Sequence, residues 1–148
     1  MGFQDLYAHN LALLAKQGWR ILSNPSSLVG RLFKARYFPH SDFLSAPIAR
    51  SPSACWRGIY TAQPTLKRGV RWQVGDGAMI RIWEDAWLPR PVLFRPVWYG
   101  NSALVSVSEL LRYGQWDRDL IAANFDEGDA SLILSIPLSS NHVADRLV

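Results

Sequence analysis

Two short polar segments carry residue types that could support catalysis or ligand binding. Gly75-Asp76-Gly77 has the small residues of a phosphate-binding loop, and Glu84-Asp85 is an adjacent carboxylate pair that could hold Mg²⁺. The glycine segment lacks the spacing and the lysine of a P-loop. Metal-dependent polymerases and nucleases need several carboxylates that converge from separate elements. We therefore predict a plain turn at the first segment and a solvated or arginine-paired surface at the second.

The residue types of metal sites and nucleophilic centres are scattered along the chain. His9, His40 and His142 lie far apart, and the single cysteine, Cys55, excludes an internal disulfide and any zinc site with two thiolates. Cys55 precedes Trp56 in an apolar stretch, which favours a buried hydrophobic role. No nucleophile elbow of the Gly-x-Ser-x-Gly type occurs. We predict no catalytic residue, no metal and no cofactor in these residues, and therefore no enzyme.

Positive charge is concentrated in the first part of the 148-residue chain. The formal net charge of +4 is the balance of +8 over residues 1–95 and −4 over residues 96–148. Arginine, which forks onto phosphate and stacks on aromatic planes, supplies 13 of the 16 cations. This pattern favours contact with an RNA or DNA backbone; the alternative is an ordinary solvated surface. The candidate contacts are Arg31, Lys34, Arg36, Lys67, Arg68, Arg71 and Arg81.

Seven tryptophans are unusual for this length. Trp19, Trp56 and Trp72 occupy positions predicted to face the core. Trp83 and Trp87 flank the carboxylate pair and are candidate stacking platforms for a base, since stacking tolerates any base; the alternative is again the core.

Apolar spacing predicts helices in the first half of the chain. Gaps of three and four predict an amphipathic helix from Phe3 to about Ser23. Ser26 or Ser27 is predicted to cap a second helix through Tyr37, whose apolar stripe includes Leu28, Val29 and Leu32. Ser53 is predicted to cap a third helix that kinks at Pro64 or stops near Ala62.

Alternating apolar residues around the Gly-Asp-Gly turn predict a β-hairpin over residues 70–85. Proline-rich residues 86–106 are predicted to be an extended linker, and residues 107–148 an acidic part with short helices capped by Asp117 and by Asp126 or Asp129. With a basic helical part at residues 1–69, the expected fold is mainly helical α+β in a single fragment, with helices flanking one Trp-rich β-hairpin.

Composition sets further bounds on the class of protein. Apolar residues make up 49% and charged residues 19%, which excludes disorder from low hydrophobicity. No run approaches the roughly 20 apolar residues of a membrane span. Asp5, His9 and Asn10 interrupt any signal-peptide pattern, so we expect an intracellular protein with no membrane partner.

The segment RGVRWQVGDGAMIRIWEDAWLP (Arg68 to Pro89) resembles a stretch of plant non-LTR, LINE-type retrotransposon polyproteins. The segments GFQDLYAHNLALLAKQGWRIL, LFKARYFPHSDFL and ILSIPLS…DRLV fit the same region in the same order. The resemblance implies a thumb- or connector-like segment that lies after the reverse transcriptase fingers and palm and before the zinc-binding and ribonuclease H-like parts. The polymerase aspartates of the family lie upstream of Gly2, and its Cys/His cluster lies downstream of Val148.

The resemblance therefore implies a non-catalytic remnant with weak nucleic-acid backbone binding. Its partners would be nucleic acid or the missing reverse transcriptase and zinc-binding parts of the parent polyprotein. The alternatives are a protein-interaction fragment, which exposes apolar surface that once packed on those parts, and a pseudogene product without a function.

Overall fold

The computed structural model describes residues 2–97 and 102–148, which form two compact units. Unit 1 is Met1–Gly69 and unit 2 is Val70–Val148. Unit 1 is helical, whereas unit 2 combines short helices with two-stranded sheets. The mainly helical α+β class is therefore confirmed. Residues 98–101 of the predicted linker lie outside the described residues.

Unit 1 consists of three helices whose starts follow the sequence closely. They are α1 (Gly2–Ser23), α2 (Leu28–Tyr37) and α3 (Ala54–Gly69). The Ser27 hydroxyl accepts the Gly30 N–H at 3.1 Å, and the Ser53 hydroxyl accepts the Trp56 N–H at 3.2 Å. Each hydroxyl satisfies a backbone donor that the first turn of a helix leaves unpaired. The predicted caps of α2 and α3 are confirmed.

Helix α3 continues through Pro64 to Gly69, so the predicted stop near Ala62 is wrong. Proline removes one backbone donor from the helix. The adjacent residue compensates for that loss, because the buried Gln63 amide donates to the carbonyl oxygens of Phe43 at 2.6 Å and Ala46 at 3.2 Å. These bonds fix α3 to the 38–53 loop at the level of the proline.

A glycine allows α1 and α3 to approach closely. A Cβ on Gly18 would lie 2.6 Å from Leu66 Cδ1 and 3.0 Å from Phe43 Cζ. A Cβ at this position would require the end of the Leu66 side chain to move and would press on the Phe43 ring. The helix-propensity cost of Gly18, about 1 kcal/mol relative to alanine, is the cost of this contact.

The core of unit 1 is built on the indole of Trp56, which has no exposed surface. Tyr37 stacks on it with ring centroids 4.6 Å apart and an interplanar angle of 5°. Phe38 stacks at 5.6 Å and Phe43 meets it edge-on at 5.9 Å. Such aromatic pairs contribute about 0.5–1.5 kcal/mol each beyond the area they bury. The cluster connects α2, the following loop and α3.

Unit 2 begins and ends with the two strands of one small sheet. Its elements are β1 (Trp72–Gln73), a 3₁₀ turn (Val107–Leu110), β2 (Leu111–Arg112), β3 (Gln115–Trp116), α4 (Arg118–Asn124), α5 (Glu127–Ser135) and β4 (Arg146–Leu147). Asp117 caps α4 by accepting the Leu120 N–H, and Asp126 caps α5 by accepting the Asp129 N–H. Both helix starts agree with the sequence.

The predicted hairpin over residues 70–85 is wrong in its pairing. Strand β1 pairs antiparallel with β4, with Trp72 opposite Leu147. Ile80 and Ile82 exchange backbone hydrogen bonds with residues 105–107. The alternation itself is correct, because Val74, Ile80 and Ile82 are buried while Gln73 and Arg81 are exposed. A period of two assigns faces but does not select the partner strand.

The carboxylate of Asp145 binds the backbone N–H groups of the loop between β1 and Ile80. Asp145 Oδ1 accepts the N–H groups of Gly75 at 2.7 Å and Gly77 at 2.9 Å, and Oδ2 accepts the Met79 N–H at 2.9 Å. Gly77 has a φ of +73°, and a Cβ there would lie 2.5 Å from the Ser108 nitrogen. The Gly-Asp-Gly segment therefore binds a carboxylate of its own chain. We call these three hydrogen bonds from residues 75–79 to Asp145 the Asp145 clasp.

The described part of the predicted linker is folded and not extended. Trp87 and Leu88 are buried in the core of unit 2, and their N–H groups both donate to the Phe94 carbonyl. Arg90 Nη1 donates to both oxygens of the buried Asp129 at 3.0 Å. The charge of Asp129 is thus paired, as burial of a carboxylate requires. This pair holds the proline-rich segment against α5.

We expect Asp145→Asn to lower the free energy of unfolding of unit 2 by about 2–3 kcal/mol. An amide presents a donor to at least one of the three N–H groups and removes the charge that strengthens all three bonds. Urea denaturation measures the loss, and hydrogen exchange of the backbone amides of residues 75–79 localises it.

The matched control is Glu84→Gln, because Glu84 is exposed and pairs only at the surface with Arg81. It should change stability by less than about 1 kcal/mol. Exchange rates of the amides at 75–79 that are the same in Asp145→Asn and in the wild type would contradict the clasp.

Candidate nucleic-acid interface

The positive charge of the chain belongs to unit 1. Residues 1–69 contain nine lysines and arginines and two aspartates, whereas residues 70–148 contain seven lysines and arginines and ten acidic residues. Unit 1 therefore carries a formal charge of +7 and unit 2 a charge of −3. A surface with this charge attracts polyanions over a distance of about one Debye length, roughly 8 Å at physiological salt.

Five of the seven predicted backbone contacts are exposed cations of unit 1. We call them the α2–α3 cations: Arg31, Lys34, Arg36, Lys67 and Arg68. Three lie on α2, and two lie in the last turn of α3. Cations at a helix C-terminus complement the helix dipole, so Lys67 and Arg68 also stabilise α3.

The relative positions of α2 and α3 are set by a hydroxyl pair next to the Trp56 cluster. The Tyr37 hydroxyl donates to the Ser53 hydroxyl at 3.0 Å and accepts the Ser53 N–H at 3.0 Å. Hydrogen bonding with Ser53, first with its side chain and then with its backbone N–H, lowers the pKa of Tyr37 below its ordinary value. Since Ser53 also caps α3, one residue joins the end of α2 to the start of α3.

Four further exposed cations of unit 1 were not among the predicted contacts. They are Lys16 and Arg20 on α1, Arg50 in the loop, and Arg57 on α3. Lys16 and Arg20 have the i, i+4 spacing that places both on one helix face. Arg57 and Arg68 are separated by eleven residues, close to three turns, and therefore share a face of α3. The spacing of Lys16 with Arg20 and of Arg57 with Arg68 was visible in the sequence, whereas Arg50 lies in a loop and has no such signal.

The remaining two predicted contacts, Arg71 and Arg81, lie in unit 2 and have partners there. The Arg71 guanidinium lies 3.4 Å from the centre of the Phe94 ring and donates to the Val70 carbonyl at 2.7 Å. Arg81 pairs with Glu84 at 2.8 Å, and this hydrogen bond raises the pKa of Arg81 above its ordinary value. Neither residue belongs to the basic unit.

The two stacking candidates are packed in unit 2. Trp87 is 5% exposed, and its indole N–H donates to the Ile82 carbonyl at 2.9 Å, which agrees with the alternative that this ring belongs to the core. Trp83 is half-buried, stacks on Phe125 at 5.0 Å and donates to the Leu104 carbonyl. A ring with these contacts contributes to the core. The positions of Trp83 and Trp87 on either side of Glu84-Asp85 gave no sign in the sequence that the two rings pack in unit 2.

The histidines, the cysteine and the acidic residues were also predicted to form no metal site. Within those residues, no three His, Cys, Asp or Glu side chains are grouped so that they could hold a metal ion. Glu84 pairs with Arg81, and Asp85 Oδ2 accepts the Arg81 N–H. Cys55 is exposed, so its predicted burial is wrong. None of the described helices combines the length and hydropathy needed to cross a membrane.

Comparisons with known proteins give two partial similarities. No family model and no solved structure matches the chain. An uncharacterized mitochondrial protein of Arabidopsis thaliana is 42% identical over 88 residues, which are 60% of this chain and 57% of that protein. An Arabidopsis thaliana protein named "Putative ribonuclease H protein" is 32% identical over 97 residues, which are 63% of this chain and 16% of that protein.

The chain thus spans a little over half of the first relative and about a sixth of the second. Both relatives are plant proteins, in agreement with the plant resemblance. Neither name specifies a LINE-type polyprotein or a position within one.

We expect Ser53→Ala to raise the pKa of Tyr37 toward its ordinary value of about 10, because the variant loses the hydroxyl that can donate a hydrogen bond to the phenolate once the Tyr37 proton has left. Ultraviolet absorbance of tyrosinate during an alkaline titration measures the change. The part of the absorbance increase that is missing in Tyr37→Phe is the ionisation of Tyr37. Ser51→Ala, at a nearby exposed serine, is the control. Superimposable titrations of Ser53→Ala and the wild type would show that the hydroxyl pair is not formed.

Proposed function

We propose that this chain is a non-catalytic, thumb- or connector-like segment of a plant retrotransposon reverse transcriptase, and that unit 1 contacts the backbone of the template–primer. The α2–α3 cations, together with Lys16, Arg20, Arg50 and Arg57, are the contacts. The two predicted contacts in unit 2, Arg71 and Arg81, have partners within that unit and are left out of the proposed set.

The observation that carries this proposal is the separation of charge between the units. Nine cations and two aspartates in 69 residues leave most of the positive charge of unit 1 without an acidic residue to neutralise it. Such excess charge destabilises a compact unit through self-repulsion unless a polyanion offsets it. Phosphate groups that bind these cations release counterions, which is the main source of sequence-independent affinity for nucleic acid.

Similarity supports the same class of partner. One relative is named for ribonuclease H, a nucleic-acid enzyme, and the segment from Arg68 to Pro89 resembles a retrotransposon polyprotein. The sequence contains no adjacent aspartates of the kind found in the polymerase motif of that family. These points favour a binding role over catalysis.

Full-length protein should bind an RNA–DNA hybrid weakly, with an affinity that falls steeply as salt rises. The double variant Lys67→Gln, Arg68→Gln removes two phosphate contacts, so the slope of log affinity against log salt should become shallower by about 2. Fluorescence anisotropy of a labelled hybrid over a salt series measures both quantities.

The matched control neutralises two exposed arginines of unit 2, Arg95→Gln and Arg118→Gln, and changes the net charge of the protein equally. Its salt slope should equal that of the wild type. No binding at low salt, or equal loss in both double variants, would refute the proposal.

A second candidate is a protein-interaction fragment, and the surface of α2 favours it. Leu28, Val29 and Leu32 are 82%, 54% and 63% exposed, although they were predicted to form the buried stripe of this helix. An adjacent group of exposed apolar side chains is typical of a contact surface. This candidate predicts self-association in sedimentation experiments that Leu28→Ser, Leu32→Ser abolishes. A monomer at all concentrations would count against it.

A further inference from the structure

A groove of about 600 Å³ opens in unit 1 where the end of α1 meets the first turns of α2 and α3. We call it the Arg20 groove. Its size lies within the 300–1,000 Å³ of ordinary ligand pockets. The side chains used below are Gln17, Arg20, Asn24, Phe33, Cys55 and Ile59, all of which line it.

Apolar groups and polar groups contribute separately to the walls of the groove. Ile59 is buried, and Phe33 is held by ring contacts with Tyr37 at 5.8 Å and Trp56 at 5.6 Å. Gln17 and Asn24 are exposed amides, each of which offers both donors and acceptors. A pocket with fixed apolar groups and amides suits a planar, partly polar ring.

The positive charge of the groove indicates that the ligand also carries an anionic group. Arg20 is the charged residue that lines it, and no carboxylate side chain is among the described residues that do so. Guanidinium forks bind phosphate well. A nucleotide combines a planar, partly polar ring with a phosphate and therefore fits both parts of the groove. Paired and stacked bases of a duplex cannot enter a concave groove, whereas an unpaired base can be turned out of the strand.

We propose that the Arg20 groove holds one unpaired base of a single-stranded nucleic acid, with Arg20 on the adjoining phosphate. This inference rests on the proposed function, in which unit 1 binds the backbone, and adds a preference for single strands over blunt duplex. It also assigns a base contact to a chain whose predicted stacking platforms lie in unit 2.

Cys55 supplies a native reporter for this site, because it is the single cysteine, is exposed and lines the groove. Its rate of alkylation by iodoacetamide is measured with the full chain saturated by a short oligo-uridine or oligo-thymidine strand, and separately by a blunt RNA–DNA hybrid. Anisotropy establishes saturation in each case. We expect the single strands to slow alkylation by about tenfold and the hybrid to leave it nearly unchanged.

The hybrid controls for the electrostatic effect of phosphate on the thiol, since it brings the same kind of charge to unit 1. Binding of single strands without protection of Cys55 would overturn the groove assignment and leave the proposed function intact. Absence of binding by either nucleic acid would overturn both. Slower alkylation at higher protein concentration, without oligonucleotide, would show that a second copy covers the groove and would also overturn the assignment.

Two variants test the same site without the thiol reaction. Cys55→Phe fills the groove without a change in charge, and Ala54→Phe adds the same ring at the neighbouring exposed position, which does not line the groove. Cys55→Phe should weaken single-strand binding by about tenfold and leave hybrid binding unchanged. Ala54→Phe should change neither. Circular dichroism confirms that both variants fold, and equal single-strand affinities would refute the assignment.

Discussion

The packing of aromatic rings on Trp56 is the constraint on which unit 1 depends. Phe33 and Tyr37 bring α2 to this indole, Phe38 and Phe43 bring the following loop, and Trp56 itself belongs to α3. The indole N–H is buried without a hydrogen-bond partner in the described part of the chain. An unpaired buried donor costs about 1–3 kcal/mol, so the ring contacts must supply more than that. The cluster joins α2, the following loop and α3, which carry most of the exposed cations and part of the Arg20 groove.

Unit 2 is organised by a different kind of interaction, a carboxylate bound by backbone N–H groups. The Asp145 clasp fixes the loop at residues 75–79 and brings the last strand beside the first. The Arg90–Asp129 pair fixes the proline-rich segment to α5. Two of the ten acidic residues of unit 2 are therefore buried and structural. This use of charge differs from that in unit 1, where all nine cations are exposed.

The candidate interface could be predicted in part. Charge and helical spacing predicted the exposure of the α2–α3 cations, because charged side chains on an amphipathic helix face water almost regardless of tertiary context. Arg71, Trp83 and Trp87 were candidates for surface contacts, whereas in the structure they contact Phe94, Phe125 and the Ile82 carbonyl. The sequence did not show these contacts, because Phe94 and Phe125 are distant along the chain and the partner of Trp87 is a backbone atom. The Arg20 groove, which needs three helices, has no signature in any one of them.

The sequence by itself determined the helix starts, the buried face of Val74, Ile80 and Ile82, and the basic first unit. Ser27, Ser53, Asp117 and Asp126 cap helices through bonds that span three residues, so the local order of residues is sufficient. Only the tertiary structure decided that β1 pairs with β4, that Asp145 binds the glycine loop, and that Cys55 and Leu28 are exposed. The first two outcomes depend on contacts between residues about 70 positions apart. The exposure of Cys55 and Leu28 depends on which neighbouring element covers a helix face. The spacing of apolar residues along one element encodes neither.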